Sequence, residues 1–242
     1  MIRLSGGRLY DPAHRVNGEV RDVFVHQGRI VALPRPGIAI DREYDVSGRV
    51  VMAGAIDLHT HIGGGKVNIA RAMLPEDHRD SAFARTDITR SGSGVAAPST
   101  FATGYRYAEM GYTACFEPAV LPVNARQAHM EMGDTPIIDK GGYAMLGNDD
   151  FLLRLMAASA DQKLINDYVA WTLHATQCIA IKVVNPGGIS AFKFNTRHLD
   201  VDELHPHYRV TPRAILATLT RALHELSIPH PLHVHASNLG VP

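Results

Sequence analysis

Ala55-Ile56-Asp57-Leu58-His59-Thr60-His61, entered through Val51-Met52-Ala53-Gly54, is the stretch whose reading decides the fold. A strand has period two, so Ile56, Leu58 and Thr60 are expected on one face, and Asp57, His59 and His61 on the other. The two imidazoles then lie about 7 Å apart along one face, a gap that leaning side chains close onto one ion. The run breaks into Gly63-Gly64-Gly65, as a strand does on entering a loop at the edge of a site. The expectation is a metal-binding His-x-His on the first strand of a barrel. The alternative is a pair of histidines on an exposed edge strand.

Downstream, strands and helices alternate. Pro98 to Met110 has helical spacing and ends at Gly111, and Val67–Met73 has room for a short helix before Pro75. Tyr112–Glu117 reads as a second strand, and Asn124 as the cap of a helix running through Met132. Asp149–Ala160 and Asp161–Gln177 read as consecutive helices with acidic starts, and Cys178–Val184 as a buried strand. Residues 185–210 read as a long polar loop. Thr211-Pro212 opens a helix to about Leu226, and Leu232–Ala236 is the last strand. This alternation predicts parallel β/α architecture, in which chemistry collects at the C-terminal ends of strands. Residues 51–242 are fewer than the roughly 250 of a full (β/α)8 barrel, so the expectation is the N-terminal part of one, with a smaller open fold as the alternative.

Two further sites sit at such strand ends. Lys182 is flanked by Ile181, Val183 and Val184, where a free ammonium is costly to bury. Either it reaches solvent or a carboxylate past Asn185, or it is carbamylated by CO2. Carbamylation turns the cation into a carboxylate able to bridge two divalent ions. His233 and His235 repeat the His-x-His spacing. His235, nearer the strand end and followed by Ala-Ser-Asn, is the expected ligand, and His233 a supporting ring. Nitrogen and oxygen donors without thiolate suit zinc, with manganese, iron or nickel as alternatives.

Upstream, residues 1–50 show no helical period. Ile2–Leu4, Gly7–Tyr10, Asp22–His26, Arg29–Leu33 and Arg42–Val46 read as short strands, with a hairpin turn at Gln27-Gly28, and suggest part of a separate small β-sandwich. The whole chain of 242 residues is 45% hydrophobic with a formal net charge of zero, which suits a globular protein and argues against nucleic acid or an anionic membrane as a partner. Two cysteines outside any C-x-x-C pair argue against a disulfide framework, making the reducing cytoplasm the expected compartment. Fourteen histidines favour a catalytic protein.

Gly54 to His61, a strand lysine, and a strand histidine followed by Ala-x-Asn together resemble the amidohydrolase superfamily. Gly64-Gly65-Lys66-Val67-Asn68-Ile69-Ala70-Arg71, Pro75-Glu76-Asp77-His78-Arg79 and Leu232 to Gly240 narrow the resemblance. They are similar to the A subunits of formylmethanofuran dehydrogenases and of bacterial formyltransferase/hydrolase complexes. The resemblance implies a (β/α)8 barrel beside a β-sandwich and a binuclear centre. His59 and His61 would hold one metal, Lys182 as carbamate would bridge and take part in catalysis, and His235 would bind the second metal. Asp57 and His233 would support them; Lys66, Asn68, Arg71 and His78, on the loop after the first strand, would bind a polar substrate, the alternative being solvated loop residues or subunit contacts. A further histidine and a catalytic aspartate of the family would lie beyond Pro242. The implied reaction is cleavage or formation of the N-formyl amide of formylmethanofuran, in a complex with other subunits. A cyclic amidohydrolase of the dihydropyrimidinase or dihydroorotase kind shares the His-x-His, lysine and histidine, but leaves Pro75–Arg79 unexplained. A non-catalytic scaffold subunit is the third reading.

Overall fold

A computed structural model describes residues 1–34, 37–64, 73, 87, 100–191, 195 and 199–235. The helix expected over Val67–Met73 lies outside the described residues, apart from Met73. Met1–Ala55 and Ile56–Pro242 form two compact units.

In the first unit, β1 (Ile2–Asp11) is the organising strand. It pairs antiparallel with β2 (Val16–His26) and parallel with both β4 (Arg42–Asp45) and β5 (Val50–Met52), while β3 (Arg29–Val31) extends the sheet beyond β2. The two short strands read over Ile2–Tyr10 are one strand with a bulge. The register slips between Leu4 and Gly7, and Gly6 takes up φ +73°, which glycine adopts without a side-chain penalty. Gln27 and Gly28, both at positive φ, make the β2–β3 hairpin turn that the sequence suggests.

In the second unit, five strands lie in chain order across one sheet: β6 (Ala55–Asp57, with Ala55 at the unit boundary), β7 (Tyr112–Val120), β8 (Asp139–Met145), β9 (Ala180–Val184) and β10 (His233–His235). The pairs β7–β8, β8–β9 and β9–β10 are parallel. A parallel sheet whose strands follow one another without reversal is wound in one sense, as a barrel wall is.

The intervening helices bury one stripe each. In α1 (Phe101–Glu109) the glycine at 104 lies against Pro136, where a Cβ would strike backbone. α2 (Ala125–Asp134) follows a 3-10 turn at Pro122–Asn124; Asn124 stands at the cap position but makes no side-chain capping bond, unlike the sequence expectation. α3 (Asp150–Ala157) and α4 (Gln162–Thr176) are capped by Asp149 and Asp161, which accept from the Leu152 and Leu164 backbone N–H groups at 2.8 Å. α6 (Pro212–Glu225) is capped by Thr211 and buries Ile215, Leu219, Ala222 and Leu223, a spacing that faces one side of a helix. These side chains join Ile181 and Val183 of β9, and Leu152, Ile165 and Val169, in one core.

Two features depart from the sequence reading. β8 was not expected, because Asp139-Lys140-Gly141-Gly142 carries turn-forming residues. The glycines are there because a Cβ on Gly141 would stand 2.7 Å from the Phe116 ring, and one on Gly142 2.7 Å from Val120. The expected polar loop at 185–210 contains a short helix, α5 (Gly188–Ala191), and buries Leu199, His205, Tyr208 and Val210. His205 Nδ1 accepts the backbone N–H groups of His207 and Tyr208, each at 3.1 Å, so its ring folds that loop on itself.

Candidate metal centre

β9 carries Lys182 where the sheet is most deeply covered, and the side chain is only 2% exposed. Period two turns it away from Ile181 and Val183, which belong to the core. The β9–β10 register sets His233 beside Lys182 and His235 beside Val184. From the other edge, β6 delivers His59 and His61. The strand is shorter than the alternation suggested: it ends at Asp57, and Asp57 Oδ1 accepts the His59 backbone N–H at 2.9 Å in an Asx turn. Thr60 N then donates to Phe116 O at 3.0 Å, keeping the segment against β7. Thr60 is buried, whereas Ile56 and Leu58 are 61% and 48% exposed. Among the described residues, β6 lies at the end of the sheet order, with a strand neighbour on one side only.

These elements gather four imidazoles. The ring centroid of His59 lies 5.5 Å from that of His61, 5.1 Å from His233 and 5.2 Å from His235. His59 Nδ1 and His233 Nε2 are 2.9 Å apart. Tyr143 of β8 packs its ring 4.8 Å from that of His233. Although His59 is exposed as a residue, its ring is crowded by neighbours. Burial of the ring and the Lys182 charge push its pKa down from 6.5 to about 4, with smaller contributions from the other three histidines. His233 is lowered as well, first by burial and then by Lys182. Neutral imidazole is the form that donates a lone pair to a metal.

His61 is oriented by a residue the sequence reading passed over. Glu117, in the second half of β7 and 1% exposed, accepts from His61 Nδ1 on Oε1 at 2.9 Å. The same carboxylate accepts Ala119 N at 2.9 Å, Ile62 N at 2.8 Å and Gly63 N at 3.3 Å. Glu131 of α2, also buried, accepts Gly64 N at 2.5 Å. The signal for Glu117 was present: an acidic residue closing an apolar run just before Pro118, in a strand-end position. Lys66, Asn68, Arg71 and His78 lie outside the described residues.

The donor set suits a cation with a taste for nitrogen. The His59 and His233 nitrogens, 2.9 Å apart, are hydrogen-bonded to each other, closer than the roughly 3.3 Å edge between two nitrogens on a tetrahedral zinc with bonds of about 2.0–2.1 Å. Among the described residues, no three His, Cys, Asp or Glu side chains converge at ligand geometry, so His61 and His235 flank the His59–His233 pair without completing a set.

Comparison with known proteins places this arrangement. The chain is 40% identical to Protein FwdA of Methanocaldococcus jannaschii over 239 residues, covering 99% of this chain and 41% of that protein. It is also 40% identical to the A component of the formyltransferase/hydrolase complex Fhc of Methylorubrum extorquens over 246 residues, covering 100% of this chain and 43% of that one. The chain thus spans less than half the length of these relatives. Its structure superposes on the Methylorubrum extorquens formyltransferase/hydrolase complex FhcABCD, crystallised with methylofuran, with a TM-score of 0.86 and 39% identity, over 100% of this chain and 43% of that chain. The sequence profile of the amidohydrolase family matches residues 42–234, most of the chain. The chain belongs to the amidohydrolase family.

Proposed function

We propose that this chain supplies the metal-binding wall of a protein that cleaves or forms the N-formyl amide of a methanofuran-type carrier, releasing or consuming formate, in a cytoplasmic multi-subunit complex. One observation carries the reading: buried Lys182 stands in register with His233, which contacts His59 from the opposite edge of the sheet. The relatedness to FwdA and to the A component of Fhc, a complex solved with methylofuran, supports the carrier class.

His59, His61 and His235 would hold two divalent ions, zinc first among them, with a Lys182 carbamate between. His233 and Asp57 would support this set. Bound metal supplies polarisation of the formyl oxygen and a water acidified towards neutrality. The chain's residues do the rest. His59 stays neutral and offers its lone pair at neutral pH. Burial makes the Lys182 ammonium costly and so favours the neutral amine, whose lone pair would add CO2 with loss of a proton to give a carbamate that bound metal would neutralise. Asp57 fixes the turn that presents His59.

The test is metal content and formate release of the purified full-length protein after incubation with zinc and bicarbonate, beside Lys182→Ala. About two metals per chain, falling to one or none in the variant, together with formate release from the formylated carrier, is the expected result. Ring opening of a dihydropyrimidine in place of formate release would move the assignment to the cyclic amidohydrolases. Absence of bound metal from the wild type would leave a scaffold role.

A further inference from the structure

We infer that Glu117 is a positioning residue that ties the tautomer of His61 to the path of the glycine loop. The inference rests on the metal-site reading for its purpose, but its geometry stands alone.

A carboxylate accepts and does not donate. The neutral ring facing Glu117 Oε1 therefore carries its proton on Nδ1 and keeps Nε2 as its lone-pair donor. Oε2 is occupied at the same time by the backbone N–H groups of Ile62 and Gly63, the two residues that follow His61. One buried group thus holds both the ring and the chain that leaves it. That chain has little freedom to move. A Cβ on Gly63 would stand 3.2 Å from the Ala128 carbonyl and from Met132, and the next amide, Gly64 N, is held by Glu131. The clamp is therefore shared by β7 and α2, and both its acidic groups are inaccessible to solvent. Nothing in the His-x-His spacing itself selects Nδ1–H for His61; Glu117 does.

Glutamine at 117 keeps the volume but offers one acceptor end and one donor end. If its oxygen turns to Ile62 and Gly63, its NH2 faces His61 and drives the proton to Nε2. If its oxygen turns to His61, the Ile62 and Gly63 amides lose their acceptor. Either way one of the two functions is lost.

The test is nitrogen NMR of histidine-labelled full-length protein, metal-free, with hydrogen exchange of the Ile62 and Gly63 amides, in wild type and Glu117→Gln. The expected wild-type result is His61 as the Nδ1–H tautomer with both amides protected. In the variant, either the ring moves to Nε2–H or the two amides lose protection, and zinc affinity falls about 10–100-fold. Glu117→Asp, which keeps two acceptor oxygens on a shorter arm, is expected to recover part of that loss. A wild-type Nε2–H tautomer, which needs no variant to observe, overturns the inference. So does a variant that keeps ring and amides as in wild type. Should the wild type bind no zinc, the metal reading fails while the tautomer still decides the role of Glu117.

Discussion

The middle and the edges of the parallel sheet are held by different means. β7, β8 and β9 each have a strand on either side and bury Cys115, Tyr143, Ala144, Ile181 and Val183 almost completely. Their positions follow from apolar burial, which is non-directional and abundant. β6 and β10 are three residues each and leave Ile56, Leu58 and Val234 exposed. What fixes the edges is polar and specific: Asp57 on the His59 amide, Glu117 on His61, His59 on His233. The site draws on both. It takes one lysine from the rigid middle and four histidines from the edges, so its scaffold is set by packing and its aim by single hydrogen bonds.

That contrast can be broken at its strong end first. Ile181→Ala, in the fully buried strand, is expected to destabilise by about 2–5 kcal/mol, read as a shift in urea midpoint at constant slope. A loss under 1 kcal/mol would mean the middle is not the stable part. Gly141→Ala drives a methyl into the Phe116 ring and is expected to cost about 1–3 kcal/mol, again by denaturant titration. Asp161→Ala removes the acceptor for Leu164 N at the start of α4 and is expected to cost about 1 kcal/mol.

At the edge, pH is the sharper probe. The folded state holds His59 at about 4 against 6.5, so the unfolded chain binds the extra proton first. Stability of the metal-free protein is therefore expected to fall as pH drops from 6.5 towards 4 and to level off below. Solvent at an exposed residue keeps this effect small. His59→Ala should make the slope shallower in urea midpoints taken across that range, the remainder coming from His233 and from carboxylates held below their ordinary range, Glu19 and Glu225 among them. The smallest effect is expected at Ile56→Ala, within about 0.5 kcal/mol; a larger cost would show that the apolar face of β6 is covered after all.

The same divide explains what could be read in advance. Helix starts at Asp149, Asp161 and Thr211 were legible because a cap is a local event, written within three residues of the bond it makes. Lys182 stood out because a charge inside Ile-Ala-Ile-Lys-Val-Val has to be accounted for. β8 was hidden, since its glycines answer to Phe116 and Val120 on a neighbouring strand and mimic a turn when read alone. Alternation assigned Ile56 and Leu58 to one face of the strand, but it gives the two faces and not which of them meets a neighbour. Glu117 was visible as a residue and invisible as a partner, because its contacts at 61–63 are separated from it by more than fifty positions.

The contact between His59 and His233 spans 174 positions. Closing so long a loop has an entropy cost that grows only slowly with length, but it has to be met before the contact returns anything. The pair is therefore expected to form late in folding, after β7, β8 and β9 have joined, which φ-values at His233 near zero would show. Metal held by His59 and His61 at one edge and by His235 at the other would act as a staple across most of the chain, and metal removal should then show as faster unfolding, even where the folded structure barely changes.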